Sequence, residues 1–223
     1  MIIIHHLNNS RSQRVLWLLE ELELDYEIKR YQRDAATMLA PATLRAVHPL
    51  GKSPVLSDGN RTLAESGAII EYVVERYGNG RLAPARGSDA RLAYTYWLHY
   101  AEGSAMPPLL LKLIFSRLPH PPMPLVMRPF ARAISNAVQQ RFIDPQLRLH
   151  LDYMEHELAQ RPWFAGEEFS AADIQMSFPL EAARSRAGIS RATHPHIFQW
   201  VDKIHARPAY QAALAKGGPY AYS

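Results

Sequence analysis

Pro54 stands immediately before an apolar pair, Val55-Leu56, at the end of the run His48-Pro49-Leu50-Gly51-Lys52-Ser53-Pro54. A proline that closes a short loop ahead of a strand is a candidate cis residue, because only X-Pro bonds adopt cis cheaply. A cis bond there would turn the Ser53 backbone outward and leave its N–H and C=O free to pair with an extended peptide. Eleven residues past Pro54 comes Glu65-Ser66, followed by a helical pattern. A helix start carries unpaired N–H groups that attract a carboxylate. A peptide-pairing edge beside an anion-binding helix start suits a small peptide with a free carboxylate.

The elements around this pair alternate. Ile2, Ile3 and Ile4 form a β-branched run typical of a buried strand. Val15, Leu18, Leu19 and Leu22 recur at helical spacing, which predicts a helix over about residues 11–23. Residues 26–31 alternate as a second strand. Val55-Leu56 and Thr62-Leu63 flank the turn signal Asp58-Gly59. Ile69, Tyr72, Val73 and Tyr77 give a last helix, stopped by Gly78. The β-α-β then β-β-α order over residues 1–78 is that of a thioredoxin-like domain. Residues 79–88 are rich in breakers and read as a linker.

From residue 89 to residue 223 the pattern is helical. Pro119, Pro121, Pro122 and Pro124 separate a helix over 90–116 from one over 128–160, which Asp144-Pro145 divides. Ser170-x-x-Asp173 is a capping box with Phe169 and Ile174 placed as a hydrophobic staple, so a helix starts at residue 171. Pro179 is expected to kink it. The fold class expected is therefore α/β followed by all-α.

Composition narrows the chemistry. The chain has no cysteine, which excludes a disulfide scaffold, a thiolate zinc site and any protein thiol as nucleophile. It also fits a reducing cytoplasm. The net charge is +4, and 20 of the 25 basic residues are arginines scattered from Arg11 to Arg207 without a long cluster. That is a solvated basic surface that favours anionic small ligands, not a nucleic-acid patch. Met1 to Ile4 lacks the basic flank and length of a signal peptide. Leu109–Phe115 carries Lys112 and is too short to span a bilayer. His5, His6 and the other histidines form no metal constellation, so no metal is assigned.

Several stretches together resemble the glutathione S-transferase family, in particular a cysteine-free branch shared by fungi and bacteria. They are Ser10-Arg11-Ser12 running into Val15 through Glu21, His48 through Pro54, Leu63 through Gly67, and Phe169 through Leu180. The likeness covers nearly the whole chain in order. It implies a thioredoxin-like glutathione-binding domain, an all-helical domain carrying the electrophile site, a homodimer, and glutathione as co-substrate. Glu65 would face the γ-glutamyl ammonium and Ser66 its carboxylate. The Ser53 backbone, beside Pro54, would pair with the cysteinyl unit, and Lys52 would reach the glycyl carboxylate.

The sulfur site is expected where the first strand meets the first helix, so that a hydroxyl and the helix N-terminus both point at it. The residues there are Asn9, Ser10, Arg11 and Ser12. Ser10 is favoured as hydrogen-bond donor, with Asn9 as the other register, and Arg11 as a charge beside the thiolate. Ser10 or Ser12 also fits a plain helix cap. A free thiol of pKa about 8.5 is ~3% thiolate at pH 7. Lowering that pKa by about two units raises the thiolate some 25-fold, but the lower nucleophilicity takes back roughly tenfold. Most of the acceleration must therefore come from holding thiolate and electrophile together. The electrophile is expected against the first long helix after the linker, near Tyr96, His99, Tyr100 and Met106. Two rival readings stand beside conjugation. One is glutathione-dependent peroxide or disulfide reduction. The other is a non-catalytic ligand-binding or protein-interaction module of the same fold.

Overall fold

The computed structural model describes residues 1–34, 37 and 39–222. Its first part is a four-stranded sheet in the order β2-β1-β3-β4. Strand β1 is Ile2–Leu7, β2 Tyr26–Tyr31, β3 Val55–Asp58 and β4 Arg61–Ala64. β1 pairs β2 in parallel and β3 antiparallel; β3 and β4 form a hairpin. Gly59 has φ +59° in its turn, where the absence of a Cβ removes the cost of the left-handed region.

Strand periodicity puts successive side chains on opposite faces, and β1 follows it. Ile2 and Ile4 enter the large core with helix α1 (Ser12–Glu21) and the later helix α3 (Ser66–Tyr77). Leu7 faces the other way and packs with Tyr31, Val55 and Leu44 of helix α2 (Ala42–Val47). The sheet is thus covered on both faces, as a thioredoxin-like domain requires. The helix α2 is absent from the sequence expectation. It is six residues long with only Leu44 buried, too short for a periodic apolar stripe.

The second part is helical. Helix α4 (Asp89–Tyr100) is capped by Ser88, whose Oγ accepts from the Arg91 N–H at 3.1 Å. It runs through a π-helical turn, Ala101–Ala105, into α5 (Met106–Arg117). A second π turn, Gln139–Ile143, joins α6 (Arg128–Val138) to α7 (Asp144–Gln160). Both expected long helices therefore continue as rods, each re-phased by one turn. α8 (Ala171–Arg186), α9 (Pro195–His205) and α10 (Pro208–Gly217) complete the chain. α8 is the central one, buried along residues 171–183. Its capping box is formed as expected.

Asp173 ties this core together. Its carboxylate accepts from the Phe164 and Ser170 N–H groups at 3.0 Å each, from the Ser170 hydroxyl, and from Trp200 Nε1 at 3.2 Å. Trp97, Phe164 and Trp200 pack ring against ring beside it. Among the described residues no helix is long and apolar enough to cross a membrane, and no cluster of acidic residues or histidines is placed to hold a metal ion.

Candidate functional site

The site is built at the C-terminal end of β1. His5 and His6 are adjacent, so they face opposite sides of the sheet. His5 turns toward α2 and bonds Tyr31 Oη at 2.9 Å and Ser57 Oγ at 3.0 Å. His6 turns toward α1 and meets Ser12. The chain then reverses through Asn8-Asn9, with Asn9 at φ +48°, a conformation that asparagine tolerates. Ser10 follows and α1 begins.

Ser10 is buried, and its hydroxyl joins a network. Ser10 Oγ accepts from the Ser12 N–H at 3.2 Å and lies 2.7 Å from Ser12 Oγ. Ser12 Oγ lies 2.8 Å from His6 Nδ1. Burial pushes the His6 pKa down to about 4, helped by the charge of Arg30, while the Gly217 carbonyl works against the fall.

Ser53-Pro54 is cis. The Ser53 hydroxyl continues the edge of β1 in place of backbone: it donates to the His5 carbonyl at 3.0 Å and accepts from the Leu7 N–H at 3.3 Å. It also lies 3.4 Å from Ser10 Oγ, so the two loops meet. Among the described residues, the Ser53 N–H and C=O have no hydrogen-bond partner. Lys52 beside it is exposed.

Glu65 has φ +69° and ψ +119°, an unfavourable conformation for a residue with a Cβ. Such strain persists where surrounding structure holds it, often at binding sites. Glu65 is exposed and Ser66 buried, and α3 starts without a side-chain cap. The free N–H groups of its first turn therefore face outward next to a carboxylate and a hydroxyl.

Arg11 and Arg14 link this end of the sheet to the helical part. Glu102, on the first π turn, lies 3.2 Å from Arg11 Nε and also pairs with Arg14. Both guanidinium groups lie over the Phe178 ring. Arg14 also donates to the Gln175 carbonyl. Pro179 has no N–H to offer that carbonyl four residues back, so it is left to Arg14.

The four residues expected at the electrophile site are not brought together. Tyr96 and Tyr100 stack on one another, meet Trp97 edge-on, and Tyr100 leans on Tyr153 of α7. Tyr100 Oη lies 2.6 Å from His150 Nδ1 of α7. Glu102 leaves the same rod in the direction of α1. Met106 is buried one turn further on, and His99 is exposed.

No sequence pattern hints that the last residues reach this site. The Ala221 N–H donates to Asn9 Oδ1 at 2.9 Å, and the Arg30 guanidinium bonds the Lys216 carbonyl. Tyr222 packs edge-on against Phe178. A Cβ at Gly217 would collide with Gln13 Oε1 and stand 3.0 Å from Leu16 Cδ1, so glycine lets α10 approach α1 this closely. His6 was also missed, although strand alternation already required one of the two histidines to face α1. Two surface hollows lie away from these residues, one of about 410 Å³ by Glu20 and Arg207 and one of about 510 Å³ by Gln140 and Arg148.

A thioredoxin-like domain with an open Ser53 edge and an uncapped Glu65-Ser66 helix start, followed by an all-helical domain, defines a glutathione-handling class of protein. Residues 1–75 match the glutathione S-transferase N-terminal domain and residues 123–208 the C-terminal domain. Glutathione S-transferase 3 of Schizosaccharomyces pombe is 38% identical, with 97% of this chain and 88% of the relative covered. Glutathione S-transferase 1 of Saccharomyces cerevisiae is 34% identical, covering 97% and 95%. The crystal structure of a glutathione S-transferase from Actinobacillus pleuropneumoniae superimposes with a TM-score of 0.82 at 35% identity, covering 100% of this chain and 95% of that one. The chain belongs to the glutathione S-transferase family.

Proposed function

We propose that the chain catalyses attack of the glutathione thiolate on small apolar electrophiles. The observation that carries this is the pairing of two unsatisfied peptide-binding elements at one end of the sheet. The Ser53 backbone is an unpaired strand edge, and Glu65-Ser66 is an uncapped, strained helix start. Glu65 takes the γ-glutamyl ammonium. Ser66 and the first N–H groups of α3 take its carboxylate. The Ser53 N–H and C=O pair with the cysteinyl unit, Pro54 fixes that loop, and Lys52 takes the glycyl carboxylate. The sulfur then lies by the start of α1, near Ser10 and Asn9, where Arg11 adds positive charge.

The electrophile lies against the α4–α5 rod beside Glu102. His99 and Met106 flank that turn, while Tyr96 and Tyr100 brace the rod from the α7 side. As in the family, the working unit is a homodimer, and a chain without cysteine suits the cytoplasm. The reading is tested by titrating glutathione calorimetrically and assaying a panel of aryl halides, epoxides, isothiocyanates, hydroperoxides and disulfides. Saturable binding with the fastest turnover on the alkylating or arylating substrates is expected. Faster turnover on hydroperoxides or disulfides replaces conjugation with reduction. No glutathione binding removes the reading altogether. Sedimentation of the free protein tests the dimer.

A further inference from the structure

The hairpin that joins α5 to α6 is basic and apolar at once. Between Glu102 and Asp144 the chain holds five basic residues and no acidic one. Lys112 is paired with Asp144 at 2.6 Å. Arg117, Arg128, Arg132 and Arg141 pair with no carboxylate among the described residues. Arg117 closes α5 and Arg128 opens α6, so both stand at the hairpin's end. Arg132 follows about 6 Å further along α6. Between the two helices Leu125, Val126 and Met127 are 73%, 77% and 49% exposed, and Phe130 on the first turn of α6 is 67% exposed. The loop also has little need of water. The N–H groups of Leu118, His120 and Met123 donate to the Phe115, Arg117 and His120 carbonyls at 3.2, 3.0 and 3.1 Å. Residues 119, 121, 122 and 124 are prolines and have no N–H. From 118 to 124 every backbone N–H is therefore absent or bonded within the loop.

We infer that the α5–α6 hairpin docks on an anionic lipid surface, with Leu125, Val126 and Met127 entering the acyl boundary and Arg117, Arg128 and Arg132 meeting headgroup phosphates. An apolar wedge with arginines behind it suits a bilayer surface that is apolar below and negative above. The headgroup layer is about 5–7 Å deep, which matches the rise from Arg128 to Arg132. Backbone can approach lipid only where its donors are already satisfied, and this loop meets that condition. A second copy of the chain fits the face less well. A two-fold contact sets one patch against itself, arginine facing arginine. This is contact with a surface, not a span. It engages none of the residues proposed above to hold glutathione or the electrophile.

Co-sedimentation of the full chain with vesicles tests this, using phosphatidylcholine alone and equal parts of phosphatidylcholine and phosphatidylglycerol. Binding to the anionic vesicles is expected, with little to the neutral ones. It should weaken strongly at about 1 M salt, where the screening length shortens to about 3 Å. That comparison uses the unmodified protein and so does not depend on any variant folding. Arg117→Gln and Arg132→Gln should each weaken binding about fivefold. Leu125→Ser joined to Val126→Ser should weaken it about tenfold or more, because the wedge is lost. All these side chains are exposed, so the variants should unfold at the parent's denaturant midpoint. No binding to the anionic vesicles overturns the inference, as does equal binding to both kinds. Parent-like binding by the arginine variants or by the wedge variant also overturns it. If the parent ignores vesicles and the wedge variant loses a dimer in sedimentation velocity, the face is a contact between copies and the lipid assignment falls.

Discussion

Glu65 is held at positive φ without a glycine's freedom, and neither its carboxylate nor the Ser66 hydroxyl is satisfied within the described residues. Groups left this way are ready to bind. Glu65→Ala or Ser66→Ala should weaken glutathione binding roughly 10- to 150-fold, the loss of one charge-assisted bond. Calorimetry on each variant checks this, and parent-like affinity in both would show the pocket to be misplaced. Ser10→Ala should leave binding nearly intact and raise the bound thiol pKa by about one to two units. The rate loss should be modest at neutral pH and shrink as pH rises, because only activation is removed. Asn9→Ala is the comparison: Asn9 Oδ1 is occupied by the Ala221 N–H, which turns the amide nitrogen away from that contact. A raised pKa there, with none in Ser10→Ala, would transfer the role to Asn9. Glu65-Ser66 was legible in the sequence because strand, turn and helix signals all converge on it. The contacts of the Ser10 hydroxyl were not, since they bring the start of α1 against the Ser53 loop, which is remote in sequence.

At the scale of elements, local signals held and longer ones needed the structure. The capping box at Ser170 and Asp173 was legible because both partners lie within one turn. The π turns were not, because an apolar stripe shows a helix but not an added residue in its phase. The first of them sets Glu102 against Arg11 and Arg14, and such turns recur at functional sites. Asp173 carries a prediction of its own. Burial raises its pKa to about 6, and the four donors around it pull the other way without cancelling the rise. Its unfolded value is about 3.9. The folded state therefore binds this proton more tightly. The stability so gained is full below about pH 3.9 and lost as pH rises through about 6. Asp173→Asn does not titrate, so the advantage of the parent over it should be larger at about pH 4.5 than at about pH 7.5. Denaturant unfolding at both values checks this, and a gap that widens with pH contradicts it. Asp173→Ala should cost about 3 kcal/mol or more, because it orphans two buried N–H groups and the Trp200 indole.

For the whole molecule, a mixed sheet followed by helices was readable in the sequence, but the short α2 and the seam between the sheet and the helices were not. Arg14 lies in an apolar helix pattern, and nothing nearby in sequence names Glu102 or the Gln175 carbonyl as its partners. The seam depends on a guanidinium with 1% side-chain exposure, held by a carboxylate that is 31% exposed. Removing one partner of a buried pair leaves an uncompensated charge, which costs more than the pair itself is worth. Glu102→Ala should therefore lower stability by about 2 kcal/mol or more, below the usual range for wholly buried pairs because water reaches the carboxylate. Arg11→Ala removes a guanidinium that is 36% exposed from the same carboxylate and should cost about 1 kcal/mol or less. Arg14→Met joined to Glu102→Ala should recover part of the loss, since the stranded charge goes with it. Equilibrium unfolding of the three variants separates the cases. Equal losses in Glu102→Ala and Arg11→Ala, or a double variant weaker than Glu102→Ala, would mean that the buried arginine does not hold the two parts together.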